Sequence, residues 1–364
     1  MRNFFKIGFC QIFFSLAFLA ARAQGTPKRT ENLVILTLDG MRWQEVFGGI
    51  DSSLMNNAAY TKDKDGLKSR FWSDDPWERR KRLFPFFWTT IAQRGQLYGN
   101  RKIGNYVNVA NRYQFSYPGY NEIFTGYPDE AVNSNDKIWN KNTNVLEFIN
   151  RQKGFTGKVA AFSSWDVFPY ILNRDRSGIY INSDTDSLNF KDPSLQLINR
   201  MQSLSSRPLG LRTDLLTYFA GKEYLEAYAP RVLYIAWDET DDFAHLGFYD
   251  QYINSAHAED GMIGDLWNTL QSIPQYKDKT TLIVTCDHGR GDQVKDQWRD
   301  HGTNIGDSGG IWLAVIGPDT TPEGEVQTKT QLYQKQCAST MAALLGFEFR
   351  PQYGQAGPVR TIVP

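Results

Sequence analysis

Residues 280–302 read TTLIVTCDHGRGDQVKDQWRDHG. The run Thr281-Leu282-Ile283-Val284 is apolar and β-branched, the composition of a buried strand. It stops at Cys286-Asp287-His288-Gly289, and a second Asp-His-Gly follows at Asp300-His301-Gly302. Carboxylates and imidazoles gathered just past a strand are metal ligands of the right kind, in the place where open α/β sheets build their sites. The chain has 4 histidines, and two of them lie here. The stretch is read as half of a metal site.

Working outward, two more apolar runs end the same way. Residues 33–38, LVILTL, run into Asp39-Gly40, and residues 231–237, RVLYIAW, run into Asp238-Glu239-Thr240-Asp241-Asp242-Phe243-Ala244-His245. Taken singly, each acidic residue is also what a turn uses. Taken together, the three strand ends hold three of the four histidines. Asp39, Asp241, His245, Asp287, His288 and His301 make six ligands, enough for two zinc ions that each keep an open position. His257 falls in helical sequence outside every cluster and is read as structural.

A further segment carries a hydroxyl. In residues 115–126, FSYPGYNEIFTG, Pro118 suits the first turn of a helix. Ser116 then sits at that helix's N-terminus, either as a cap or where backbone N–H groups and the helix dipole favour an anion. Other apolar runs at 97–98, 106–109, 158–162 and 311–316 read as strands. Residues 84–94, 143–152, 209–228, 249–273 and 332–345 read as helices. Strands alternating with helices imply an α/β fold, a three-layer α/β/α sandwich around a mostly parallel sheet. Residues 51–82 are a polar insertion carrying Trp72, Trp77 and Arg79-Arg80-Lys81-Arg82, a solvated surface segment or a rim to the cleft. Residues 173–208 form a polar excursion without clear periodicity.

Composition bounds the rest. Forty basic and forty acidic side chains cancel, so the chain has no electrostatic grip on nucleic acid. Residues 1–23 read as a signal peptide: Arg2 and Lys6, an apolar run over 7–20, then Ala21-Arg22-Ala23 before Gln24. That run is too short for a comfortable membrane span, so export to the periplasm or medium is expected, with no span after cleavage. Cys286 and Cys337 remain in residues 24–364, either packed as thiols or bridged.

The motifs Leu36-Thr37-Leu38-Asp39-Gly40, Ser116-Tyr117-Pro118 through Thr125-Gly126, Asp241-x-x-x-His245, Asp287-His288-Gly289 and His301-Gly302 resemble, in order, the alkaline phosphatase superfamily. The likeness is to its type I phosphodiesterase/nucleotide pyrophosphatase-like branch, and residues 338–346 are similar to the superfamily's last helix. The resemblance implies a phosphoric ester hydrolase, phosphodiesterase or phosphatase, acting on a small phosphoester substrate. It implies Asp241, His245 and His301 on one zinc, with Asp39, Asp287, His288 and the nucleophile Ser116 on the other. It does not assign a phosphate-binding Asn, Arg or Lys, although Asn108, Asn111, Asn121, Arg112 and Lys102 are near in sequence. A sulfatase shares the spacing, but its signature has Ser and Arg where this chain has Gly119 and Tyr120. A non-catalytic glycan- or ligand-binding protein on the same fold is the other alternative.

Overall fold

The computed structural model describes residues 29–350, 353, 354 and 356–363. The signal-peptide reading of residues 1–23 lies outside them. The strands are β1 (Asn32–Leu38), β2 (Gln96–Tyr98), β3 (Asn105–Asn108), β4 (Val159–Ser163), β5 (Tyr180–Ser183) and β6 (Val232–Trp237). They continue as β7 (Thr280–Thr285), β8 (Gly310–Ile311), β9 (Leu313–Ile316), β10 (Gly324–Glu325) and β11 (Thr330–Tyr333). Eight of them form one sheet in the order β10-β2-β9-β7-β1-β6-β4-β5, and β11-β3-β8 form a smaller one. In the large sheet only β9 runs against its neighbours.

The centre of the sheet explains the apolar runs. Every residue of β1, β6 and β7 is buried, so both faces are covered and an alternating pattern has no use there. Leu33, Val34, Ile35, Leu36 and Leu38 of β1 are all essentially inaccessible, each worth roughly 1.5–3 kcal/mol of burial. Register then sets the site. β1 pairs with β6 through Leu38↔Trp237 and with β7 through Thr37↔Thr285. Parallel neighbours in this register end together, so Asp39, Asp238 and Asp287 emerge side by side at one edge.

Several element boundaries depart from the sequence reading. Residues 311–316 are two strands, because Ile311 pairs with β3 while Leu313–Ile316 joins the main sheet. Residues 332–345 do not form one helix. Thr330–Tyr333 is strand β11, and the helix begins at Gln336. Between them Gln334, fully buried, donates its amide to the carbonyls of Cys286 and Asp287 at 3.1 and 2.6 Å. The helix expected from residue 209 starts at Asp214. The polar excursion contains β5 and the helix Pro193–Leu204, whose apolar Leu197, Met201 and Leu204 face solvent.

Residues 51–82 fold into helices Ser52–Met55, Lys64–Phe71 and the start of Pro76–Leu83. Arg79 and Arg80 turn inward, while Arg82 is exposed. Arg79 lies over Trp72, and Arg80 lies between Trp77 and Trp88 and pairs with Glu325 at 3.1 Å. His257 accepts a structural place, its Nδ1 bonded to the Leu83 carbonyl at 2.8 Å. Cys286 and Cys337 are both buried free thiols. Among the described residues no helix is long and apolar enough to cross a membrane.

Candidate metal centre

All seven expected site residues meet at the carboxyl edge of the sheet. Asp39 follows β1, and Asp287 and His288 follow β7. Asp241 and His245 stand on the helix Glu239–His245 after β6, not in a loop. Their four-residue spacing puts both on one helix face, with His245 Nε2 3.1 Å from Asp241 Oδ2. His301 reaches in from the loop after β7.

Asp39, Asp287 and His288 form one group of converging ligand atoms. His288 Nε2 lies 3.3 Å from Asp39 Oδ1, 3.4 Å from Asp287 Oδ2 and 3.4 Å from Ser116 Oγ. Each carboxylate has one oxygen tied down: Asp39 Oδ2 accepts from Tyr120 at 2.8 Å, and Asp287 Oδ1 accepts from the Gly40 N–H at 3.1 Å. The other two oxygens, Asp39 Oδ1 and Asp287 Oδ2, are buried with no hydrogen-bond partner. Buried polar atoms are seldom left so. His288 Nδ1 bonds the Gly289 carbonyl at 3.0 Å, which places the proton there and leaves the Nε2 lone pair facing the carboxylates. Three acceptors converging without a donor fit a divalent cation.

The second group of converging ligand atoms joins Asp241 to His301, with His288 shared between the groups, and His245 stands beside His301. Their Nε2 atoms are 2.9 Å apart, and His301 Nδ1 bonds the Gln114 carbonyl at 3.3 Å. Gln114 adopts a left-handed backbone, φ 53°, that points its carbonyl at this ring. His245 Nε2 thus faces both His301 Nε2 and Asp241 Oδ2, a set of donors that a cation fits. The rings of His288 and His301 stack at 3.9 Å and join the groups.

Electrostatics follows from burial with no bound charge. Burial, then the Asp241 charge, raises Asp39 well above the usual carboxylate range; burial, then Asp39, does the same to Asp287. For Asp241 burial pushes up, but the Arg290 guanidinium and the bond to His245 hold it well below that range. Burial and the neighbouring His288 press His301 down to about 2. The His301 imidazole is therefore available as a neutral ligand.

Ser116 opens the helix Ser116–Thr125 and is buried. The same helix carries Tyr120, so the hydroxyl and the donor that orients Asp39 move as one body. Gly119 lets this helix seat, since a Cβ there would fall 2.4 Å from the Asp287 carbonyl. Of the polar residues near in sequence, Asn111 bonds Glu122, Asn121 bonds Tyr127, Asn140 and Asn142, and Asn108 bonds Arg101. Asn135 accepts the N–H of Tyr117, the residue after Ser116, at 2.9 Å. Its loop, far along the chain, gave no periodic signal. Tyr120, Asn135, Gln114 and Arg290 are the residues that motif spacing left out.

A family model described as type I phosphodiesterase/nucleotide pyrophosphatase matches residues 50–322. No curated protein matches the sequence significantly. Among solved structures, wild-type alkaline phosphatase PafA is similar with a TM-score of 0.64 at 10% identity, covering 93% of this chain and 100% of that one. The lipoteichoic acid synthase LtaP from Listeria monocytogenes gives 0.53 at 12%, covering 88% and 73%. The 2-O GAG sulfatase BT1596 gives 0.55 at 12%, covering 92% and 74%. At such identities these structures share the fold. With three quarters of the chain inside the family model, it belongs to the type I phosphodiesterase/nucleotide pyrophosphatase family.

Proposed function

We propose that the chain is an exported hydrolase of phosphoric esters with Ser116 as nucleophile and two divalent metal ions, zinc by donor chemistry. The observation that carries this reading is the pair of orphaned carboxylate oxygens, Asp39 Oδ1 and Asp287 Oδ2, converging on His288 Nε2 within reach of Ser116 Oγ. Asp39, Asp287 and His288, with Ser116, would hold one ion; Asp241, His245 and His301 would hold the other. Imidazole and carboxylate donors suit zinc better than the oxygen shells calcium takes.

Bound there, divalent cations lower the proton affinity of a hydroxyl and neutralise charge on a phosphoryl group and its leaving oxygen. The rest falls to the chain's own groups. Ser116 Oγ loses its proton and bonds phosphorus as the ester oxygen departs, giving a phosphoserine that water then cleaves. The N-terminus of the Ser116 helix favours the transferred phosphoryl group's negative oxygens. Tyr120 keeps Asp39 oriented, and Asn135 holds the Tyr117 N–H at the helix entrance.

Aryl phosphate monoester, diester and sulfate, assayed side by side with and without chelator, test the reaction class. Turnover of a phosphate ester should vanish with chelator and in Ser116→Ala, with metal content of the variant retained at the Asp241 cluster. Metal-loaded protein inert towards both phosphate types, or turning over only the sulfate, sinks the reading. Sulfate is worth including because a sulfatase shares the fold, although Gly119 and Tyr120 break the sulfatase signature.

A further inference from the structure

Arg290 follows the Asp287-His288-Gly289 motif and is fully buried. Its guanidinium reaches three separate segments. Nε donates to the Gly40 carbonyl at 3.1 Å, Nη1 to the Arg299 carbonyl at 2.6 Å and Nη2 to the Asp241 carbonyl at 3.1 Å. Nη2 also pairs with Asp241 Oδ1. The space is reserved for it: a Cβ on Gly40 would fall 2.7 Å from Nη2 and 2.6 Å from Asp241 Oδ1. Gly40 has φ +58°, which favours glycine for a second reason.

These contacts are unevenly shared between the two ligand groups. Asp39 is oriented by Tyr120, and Asp287 by the Gly40 N–H. Arg290 touches neither carboxylate. It grips the helix that bears Asp241 and His245, and it grips the chain two residues before His301. By pairing with Oδ1 of Asp241 it sets the orientation of that carboxylate, whose Oδ2 faces His245 Nε2 at 3.1 Å.

We propose that Arg290 is a positioning residue chiefly for the Asp241–His245–His301 cluster, joining the two segments that supply its ligands. The inference rests on the two-metal reading and adds that one ion depends on this guanidinium more than the other, which it reaches only through Gly40. Partners behind a metal's ligands typically change affinity by ~10–100-fold when removed.

The test loads metal-free wild type, Arg290→Gln and Arg290→Lys with zinc against a competing chelator and counts bound ions by mass spectrometry. His301→Ala serves as the reference for loss of the second cluster. Arg290→Gln should keep one ion near wild-type affinity and hold the second ~10–100-fold more weakly. Arg290→Lys, which keeps the charge without the three-way fork, should also lose the second ion first, and carries the test if the Gln variant does not fold. A general packing defect would weaken both ions alike. That outcome, two ions held as in wild type, or a wild type that binds only one, overturns the proposal. Two ions bound by a wild type without esterase activity would contradict the proposed function and leave this inference standing.

Discussion

At the scale of single residues, the chemistry is set by what is buried without compensation. Asp39 is pushed towards its protonated form by burial and the Asp241 charge, and Asp287 by burial and the Asp39 charge. A cation can replace those protons. Metal uptake at a pH above the ordinary carboxylate range should therefore release protons, and affinity should rise with pH because the metal-free form binds more of them. Calorimetric titration in buffers of different ionisation enthalpy measures this, and a heat that is independent of buffer would contradict it. Seven residues of this site were legible from motif order, because a ligand's residue type is its chemistry. Tyr120, Gln114, Asn135 and Arg290 were not, because tyrosine, glutamine, asparagine and arginine have many ordinary uses. Their role here comes from where an oxygen or nitrogen ends up in space.

At the scale of elements, one carboxylate reports on a helix start. Asp260, on the helix Tyr249–Ser272, accepts from the N–H groups of Phe86 and Phe87 at 2.7 and 3.1 Å, capping the helical turn Phe87–Ile91. Burial nonetheless raises it to about 7. The folded protein thus holds this proton where the unfolded chain, with an ordinary Asp near 3.8, has lost it. Its contribution to stability is complete below that lower value and is lost as pH rises through 7. Unfolding in urea should show Asp260→Asn with a flatter decline than wild type between pH 4 and 7; parallel slopes would exclude Asp260 as the cause. Long apolar strands were readable as elements because burial on both faces removes ambiguity. The helix Pro193–Leu204 was not, since it lies in a polar segment and its Leu197, Met201 and Leu204 stay exposed.

At the scale of the whole molecule, the loop between the two Asp-His-Gly motifs is braced from residues 51–82 and their neighbours. Lys295 pairs with Asp51, Tyr60 bonds Asp296, and Trp298 packs against Tyr60, Tyr249 and Tyr252. Arg42, buried, bonds Asp292 at 2.8 Å and faces Glu45 at 3.3 Å. With this side anchored, metal should stabilise the fold as a bound ligand does, by about 4 kcal/mol at a thousandfold excess over Kd. Chelation should lower Tm accordingly; an unchanged Tm in protein shown to have carried metal would refute the coupling. The sequence by itself determined the sheet-centred α/β class, the three strand ends and the ligand types, since these depend on local composition and period. Tertiary structure alone decided which ligands converge. The matched ends of β6, β1 and β7, the seat made by Gly119 and the three-way grip of Arg290 join residues tens to hundreds of positions apart, and no local pattern encodes such contacts.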